Sequence, residues 1–289
     1  MKLKKTMLFF TALFAFSTAT LSPVAWADNA SQFNQGFEAA EKGDFQTAYN
    51  LWKPLAEQGN IDAQFNLGLL HYSGFGVKQD YQQAVEWFTK AAEQGLGEAQ
   101  YNLGNMYLEG QGVKQDYTQA IKWLTKVAEQ NVAEAQYNLG MMYYNKQGVQ
   151  DYQQAAKWFT KAAEQGFAEA QYNLGVLYQN GEGVKQDSVQ AVKWYTLAAK
   201  QGFSQAQFNL GVTYDYGQGV KQDSAQAVKW YTLAAEQGLA QAQFNLAVMY
   251  DNGTGVKQDT QKAKEWFGQS CENGSQAGCE VYRKLHEEK

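Results

Sequence analysis

The chain has 289 residues, 15% of them aromatic and only two of them proline, and its formal net charge is −5. An acidic balance excludes the electrostatic footprint of a nucleic-acid binder, and its sign argues against an anionic membrane surface as the main partner. The two prolines, Pro23 and Pro54, suit a chain made almost wholly of helix, because proline costs about 3 kcal/mol in a helix interior.

The N-terminus reads as an export signal. Lys2, Lys4 and Lys5 make a positive start, and Met7 to Phe16 is an apolar run interrupted only by Thr11. Ala25-Trp26-Ala27 then supplies the small-x-small pattern that a signal peptidase cuts after. The apolar run is shorter than the roughly 20 residues that span a bilayer, so no stable membrane insertion is expected. The other reading of this segment is an uncleaved anchor helix. No Cys stands at the cleavage point to carry a lipid anchor. Residues 1–27 are thus expected to be removed and the product to be periplasmic or secreted. The mature chain starts at Asp28; losing the leader's three lysines takes its net charge to −8.

Past the leader, self-similarity dominates. The segment beginning Ala-Gln-Phe/Tyr-Asn-Leu starts at Ala63, Ala99, Ala135, Ala170, Ala206 and Ala242, and a tryptophan column runs through Trp87, Trp123, Trp158, Trp194, Trp230 and Trp266. Both columns step by 36 residues, with one step of 35. The short step arises in the third unit, where Gly148-Val149-Gln150-Asp151 lacks the Lys of the other Gly-Val-Lys-Gln-Asp turns and Lys146 stands where they have Gly.

Within one unit the periodicity is helical. Ala63, Leu67 and Leu70 fall on one face of a first helix, and Ala84, Trp87, Phe88, Ala91 and Ala92 on one face of a second. Between them Gly74 can take the left-handed conformation that closes the first helix, and Asp80 is placed to cap the second. Gly95 ends the second helix. A single pair cannot bury its aromatic face, whereas stacked pairs can, and one Trp per unit supplies much of that packing. Small residues such as Ala63, Gly68 and Ala84 let helix backbones approach. The expected fold is all-α, an α/α solenoid: a right-handed superhelix of helix–turn–helix repeats of about 36 residues. Residues 28–59 read as a degenerate N-terminal capping pair, with Trp52 in the place of Phe88. Residues 60–274 hold six full pairs, and 275–289 form a C-terminal capping helix with a charged outer face.

The run Ala162-Ala163-Glu164-Gln165-Gly166-Phe167-Ala168-Glu169-Ala170-Gln171-Tyr172-Asn173-Leu174-Gly175, followed by Gly181-x-Gly183-Val184 and Ala191-x-x-Trp194-Tyr195, resembles the Sel-one-like repeat, a relative of the tetratricopeptide repeat. The resemblance covers nearly the whole mature chain. It implies a solenoid used as an adaptor, with a protein or peptide as partner, no cofactor, and the first helices of the pairs lining the concave side. Cysteine-rich secreted members of that family carry a Cys pair with seven residues between, bridging paired helices. Only Cys271 and Cys279 have that spacing here, in the slots that Ala163 and Gln171 fill in an ordinary unit. The resemblance implies a disulfide stapling the last full pair to the end helix, worth about 2–3 kcal/mol in the chain-entropy model. Terminal units lack one neighbour and fray first, which gives such a staple a use. A redox-active pair is the alternative reading.

Some of the cysteine-rich branch have been assigned penicillin binding and weak β-lactamase activity, so a cell-envelope enzyme of that type is the enzymatic alternative. The residues argue against it. No Ser in the chain has Lys three residues on, and neither Ser-Asp-Asn nor Lys-Thr-Gly occurs. A metal site is not expected either, with two histidines in all. His71 takes the slot of the recurrent Tyr and reads as a packed variant of it; His286 lies in the charged tail. A non-catalytic cell-wall binder is the third reading, although most of the Trp fall in the packing column.

Specificity is expected where units differ. Asn66, Asn102, Asn138, Asn173, Asn209 and Asn245 recur in every unit and read as structural, their amides bonding to backbone in the neighbouring turn. The position after the recurrent Tyr varies most, and the next one varies with it. Tyr72, Tyr144, Tyr216, Asp215 and Asp251 are the candidate partner-binding residues, with the tyrosines as anchors and the protein acting as a monomer. No residue is assigned to catalysis, a cofactor or a metal.

Overall fold

The computed structural model describes residues 23–145 and 150–287. The apolar run of the expected leader lies outside them, as does Lys146 of the shortened turn. The expected processing point after Ala27 falls inside the first helix. Among the described residues there are fifteen α-helices and no strand: α1 Pro23–Glu41, α2 Phe45–Glu57, α3 Ile61–Ser73, α4 Tyr81–Glu93, α5 Gly97–Glu109, α6 Tyr117–Glu129, α7 Ala133–Tyr144, α8 Tyr152–Glu164, α9 Ala168–Asn180, α10 Ser188–Lys200, α11 Ser204–Tyr216, α12 Ser224–Glu236, α13 Ala240–Asn252, α14 Thr260–Glu272 and α15 Gln276–Glu287. The chain is an all-α solenoid. It divides into two compact units, one ending at Asp80 with α1–α3 and one beginning at Tyr81 with α4–α15, and in each unit helices pack on their sequence neighbours.

In the first unit Asp44 caps α2 by accepting from the Thr47 N–H, and Trp52 is buried with its indole N–H donated to the Phe33 carbonyl. Gly74 closes α3 at φ 76°, as expected. His71 packs edge-to-face on Tyr49, 5.7 Å between ring centres.

The second unit repeats one set of local rules. Asp116, Asp151, Asp187, Asp223 and Asp259 cap the even-numbered helices that follow them, each carboxylate accepting one or two backbone N–H groups. Gly110, Gly181, Gly217 and Gly253 end α5, α9, α11 and α13 in the left-handed conformation. The third turn has no Gly in that slot; α7 stops one residue earlier and Asn145 is extended, at φ −82° and ψ 142°. The Gln of each Val-Lys-Gln-Asp turn donates back to the end of the preceding helix, Gln186 to the Gln179 carbonyl at 2.8 Å and Gln222 to that of Asp215 at 2.7 Å.

Packing between pairs follows the tryptophans. Trp158 of α8 enters a cluster with Val127, Ala128, Ala135 and Leu139 of α6 and α7, and Trp194 of α10 does the same over α8 and α9. Inside the α7–α8, α9–α10 and α11–α12 pairs a glycine lets the two helices meet, whereas α13 has Ala247 in that slot. A Cβ on Gly140, Gly175 or Gly211 would sit 2.6 Å from the ring of Phe159, Tyr195 or Tyr231. Substituting that glycine therefore displaces a fully buried ring.

Candidate partner-binding surface

Two amide columns run side by side along the odd-numbered helices. Gln100, Gln136, Gln171, Gln207 and Gln243 are 1–4% exposed. Each donates from Nε2 to a carbonyl at the end of the preceding helix, those of Ala92, Ala128, Ala163, Ala199 and Ala235, at 3.0–3.1 Å. Each Oε1 in turn accepts from an amide one repeat on: Gln130, Gln165, Gln201, Gln237 and Asn273. This ladder meets the need of a buried amide for partners and ties successive pairs together. The bonds to neighbouring backbone expected of the Asn column are thus made by the Gln column instead. Asn138 donates to the Tyr101 hydroxyl at 3.0 Å and Asn173 to Met141 Sδ at 3.7 Å. The correction has a simple cause: only the Gln face of each helix is turned into the seam, and the Asn face stays half-buried.

That half-buried face is a stripe of aromatics and amides: Tyr101 and Asn102 on α5, Tyr137 and Asn138 on α7, Tyr172 and Asn173 on α9, Phe208 and Asn209 on α11. The Tyr101 hydroxyl also donates to Glu134 Oε1 at 3.1 Å, and burial, helped by that carboxylate, pushes its phenol up to about 12.

The variable row lies at the C-terminal end of the same helices. Tyr216, the last residue of α11, is 70% exposed, and Asp215 beside it is half-buried. Asp251 occupies the corresponding half-buried position on α13. Tyr144, at that position on α7, leans on Tyr152 and Phe159, with ring centres 5.6 and 6.2 Å away, so most of its surface is spent on packing. Tyr72 is half-buried at the end of α3 in the first unit. The structure thus sets Asp215 and Tyr216 side by side and holds Tyr144 as part of a core edge.

Part of the variation in this row answers to the helix it packs on. Where the even-numbered helix presents Tyr after its Trp, the row is polar. The buried Tyr195 hydroxyl donates to Gln179 Oε1 at 2.6 Å. The buried Tyr231 hydroxyl sits beside Asp215 without a well-aligned hydrogen bond. Burial raises the Asp215 carboxyl above its ordinary range, and the Tyr231 hydroxyl offsets this in part. A raised carboxyl costs stability while it is ionised; the cost is fully present above its folded pKa and is relieved as pH falls through it. Asp215→Asn keeps an acceptor for Tyr231 and removes the charge. It is expected to raise the thermal midpoint modestly at pH 7, with the gain fading once Asp215 protonates. A gain of equal size at pH 7 and pH 3 would assign the effect to something other than this carboxyl.

At the C-terminal end Cys271 of α14 and Cys279 of α15 form a disulfide, their Cα atoms 4.4 Å apart. Next to it the fully buried Ser270 donates to the Ala240 carbonyl at 2.8 Å, and α15 lays Val281, Tyr282 and Leu285 on a cluster of Ala247, Ala263 and Phe267. Among the described residues no three His, Cys, Asp or Glu side chains come together as a metal site would require, and no helix is long and apolar enough to cross a membrane.

Stacked helix pairs with a half-exposed aromatic and amide stripe define an α/α repeat protein. The chain belongs to the Sel1 repeat family, whose model matches residues 33–60, 61–96, 97–132, 133–167, 168–203, 204–239 and 240–275. The first match falls on the pair read as degenerate, and the other six on the full pairs. Sel1 repeat proteins generally mediate protein–protein interactions, and the scaffold is typically non-catalytic. Among solved structures the chain is similar to c5321, a protective antigen present in uropathogenic Escherichia coli strains, with a TM-score of 0.81 and 35% identity over 91% of this chain. It spans 58% of that protein's length. It is also similar to a Sel1 repeat protein from Oxalobacter formigenes, with a TM-score of 0.64 and 32% identity over 83% of this chain and 96% of that one. No curated protein sequence matches it.

Proposed function

We propose that this chain is an exported, non-catalytic scaffold that holds a protein or peptide partner against the C-terminal ends of the odd-numbered helices of its second unit. Tyr216 and Asp215 form the centre of the contact, and Asp251 and Tyr144 of the same unit extend it. The observation that carries this reading is Tyr216, a large aromatic side chain left 70% exposed at a helix end, beside a carboxylate whose ionisation burial already disfavours. A Tyr in that state offers wide contact area at a small entropic cost, the property of interface anchors. Export is supported by the charged and apolar segments of the N-terminus and by the Cys271–Cys279 bridge, which suits an oxidising compartment. That the similar E. coli protein is a protective antigen supports a place outside the cytoplasm for this chain.

The test is capture of partners from envelope and secreted fractions with the tagged mature chain, residues 28–289, followed by titration of the partner found. Tyr216→Ala is expected to weaken that partner about thirtyfold, the scale of an interface hot spot, while leaving the circular dichroism spectrum unchanged. Unchanged affinity in the Tyr216→Ala and Asp251→Ala variants would remove the row from the interface.

A further inference from the structure

The even-numbered helices carry a row of cations that the acidic net charge conceals. Lys122, Lys157, Lys193 and Lys229 stand at one position on α6, α8, α10 and α12, each just before the Trp of its unit, and all four are exposed. Lys90, Lys126 and Lys161 follow the Trp by three residues on α4, α6 and α8 and are exposed too. Every one of these ammonium groups lies over its own tryptophan ring. Lys90 is 4.0 Å from the centre of Trp87, Lys122 and Lys126 are 5.1 and 4.9 Å from Trp123, and Lys157 and Lys161 are 5.2 and 4.8 Å from Trp158. Lys193 and Lys229 are 5.3 and 5.6 Å from Trp194 and Trp230. None of the seven has a carboxylate within ion-pair distance among the described residues, although Glu129 and Glu164 follow Lys126 and Lys161 by one helical turn. The rings hold the lysine stems in place without neutralising the charge.

The row also has a direction. On α10 and α12 the second lysine is replaced by Leu197 and Leu233, which are 37% and 36% exposed. The face is therefore doubly basic on α6 and α8, and basic with an apolar edge on α10 and α12.

We propose that this face docks an acidic, amphipathic peptide segment of a partner protein, with carboxylates on Lys122, Lys157, Lys193 and Lys229 and apolar side chains on Leu197 and Leu233. Two features favour a peptide over a nucleic acid. The leucines give a phosphodiester chain nothing to bind. The exposed Glu129, Glu164 and Glu236, near the ends of the same helices, repel a densely charged polymer, while a peptide with spaced carboxylates can avoid them. The proposal rests on the reading of the chain as a protein-binding scaffold, but it uses other helices than Tyr216 does.

The experiment is fluorescence anisotropy of the mature chain with a short labelled peptide alternating Glu and Leu, at low and physiological salt. Saturable binding is expected. It should fall with added salt, fall at least tenfold when all four of Lys122, Lys157, Lys193 and Lys229 become Gln, and return when they become Arg. Leu197→Gln with Leu233→Gln should weaken it several-fold by a change that leaves the cation row intact. Tyr216→Ala should bind the peptide as the unmodified chain does, which separates failure here from failure of the Tyr216 contact. No saturable binding, equal binding by the Gln variant, or tighter binding of an oligodeoxynucleotide of the same charge would overturn the proposal.

Discussion

Replacing Gly183 by Ala is expected to destabilise the chain by about 4 kcal/mol, among the largest effects a single methyl group can have. Gly183 is the second glycine of the turn between α9 and α10, with φ at +69°. An L residue there carries a left-handed penalty of about 1–2 kcal/mol. The added Cβ would also be driven into the carbonyl group of Tyr152, at the start of α8 in the preceding repeat. That carbonyl belongs to helix backbone capped by Asp151, so it cannot step aside as a side-chain tip could. The same contact recurs for Gly112 on Tyr81, Gly219 on Ser188 and Gly255 on Ser224. Gly202 supplies the comparison. Its φ is +88°, yet a Cβ there meets nothing within 4 Å. Gly202→Ala should therefore lose only the conformational term, about 1–2 kcal/mol. Urea unfolding of the two variants measures the difference, and equal losses would mean that the turn does not brace the preceding repeat.

Gln207→Leu is expected to cost about 2 kcal/mol, although leucine fills much of the same space. Gln207 is 4% exposed; it donates to the Ala199 carbonyl at 3.1 Å and accepts from Gln237 at 2.7 Å. Leucine takes the side-chain donor from the buried Ala199 carbonyl and breaks the tie to the exposed Gln237, and the loss at a buried carbonyl alone costs about 1–3 kcal/mol. Asn209, two residues on, belongs to the half-buried stripe, and Asn209→Ala should cost about 1 kcal/mol or less. Hydrogen exchange should show the Gln207→Leu effect on both sides of the seam, in α10 and α12, because the ladder joins three helices. A larger loss for Asn209→Ala would reverse the assignment of the two columns.

The two amide columns show where reading the sequence reaches its limit. Gln and Asn recur with one period, two residues apart, in each of the six units. Periodicity places them on different sides of a helix but does not say which side meets a neighbour's carbonyls. The variable row is a second case. Gln179 and Asp215 look like free choices along the chain, yet Gln179 answers the Tyr195 hydroxyl at 2.6 Å and Asp215 lies beside that of Tyr231. Sixteen residues separate the members of each pair, and only the crossing of two helices brings them together. Tyr144 likewise reads as an anchor equal to Tyr216 until Tyr152 and Phe159 are seen to cover it. The lysine row was visible as letters beside Trp87, Trp123, Trp158, Trp194 and Trp230, but its lack of ion pairs among the described residues was not.

The sequence by itself determined the repeat length, the division of each repeat into two helices, the Asp caps, the left-handed glycine stops and the packing role of the tryptophan column. All of these follow from interactions within about four residues along the chain, or from a period that any stacking must respect. The tertiary structure alone decided which amides are buried, which glycine braces the preceding repeat, which polar residues answer a buried phenol and which tyrosine of the variable row stays exposed. These depend on the angle and distance at which helices cross, and that geometry is set by the summed packing of many side chains rather than by any one local pattern.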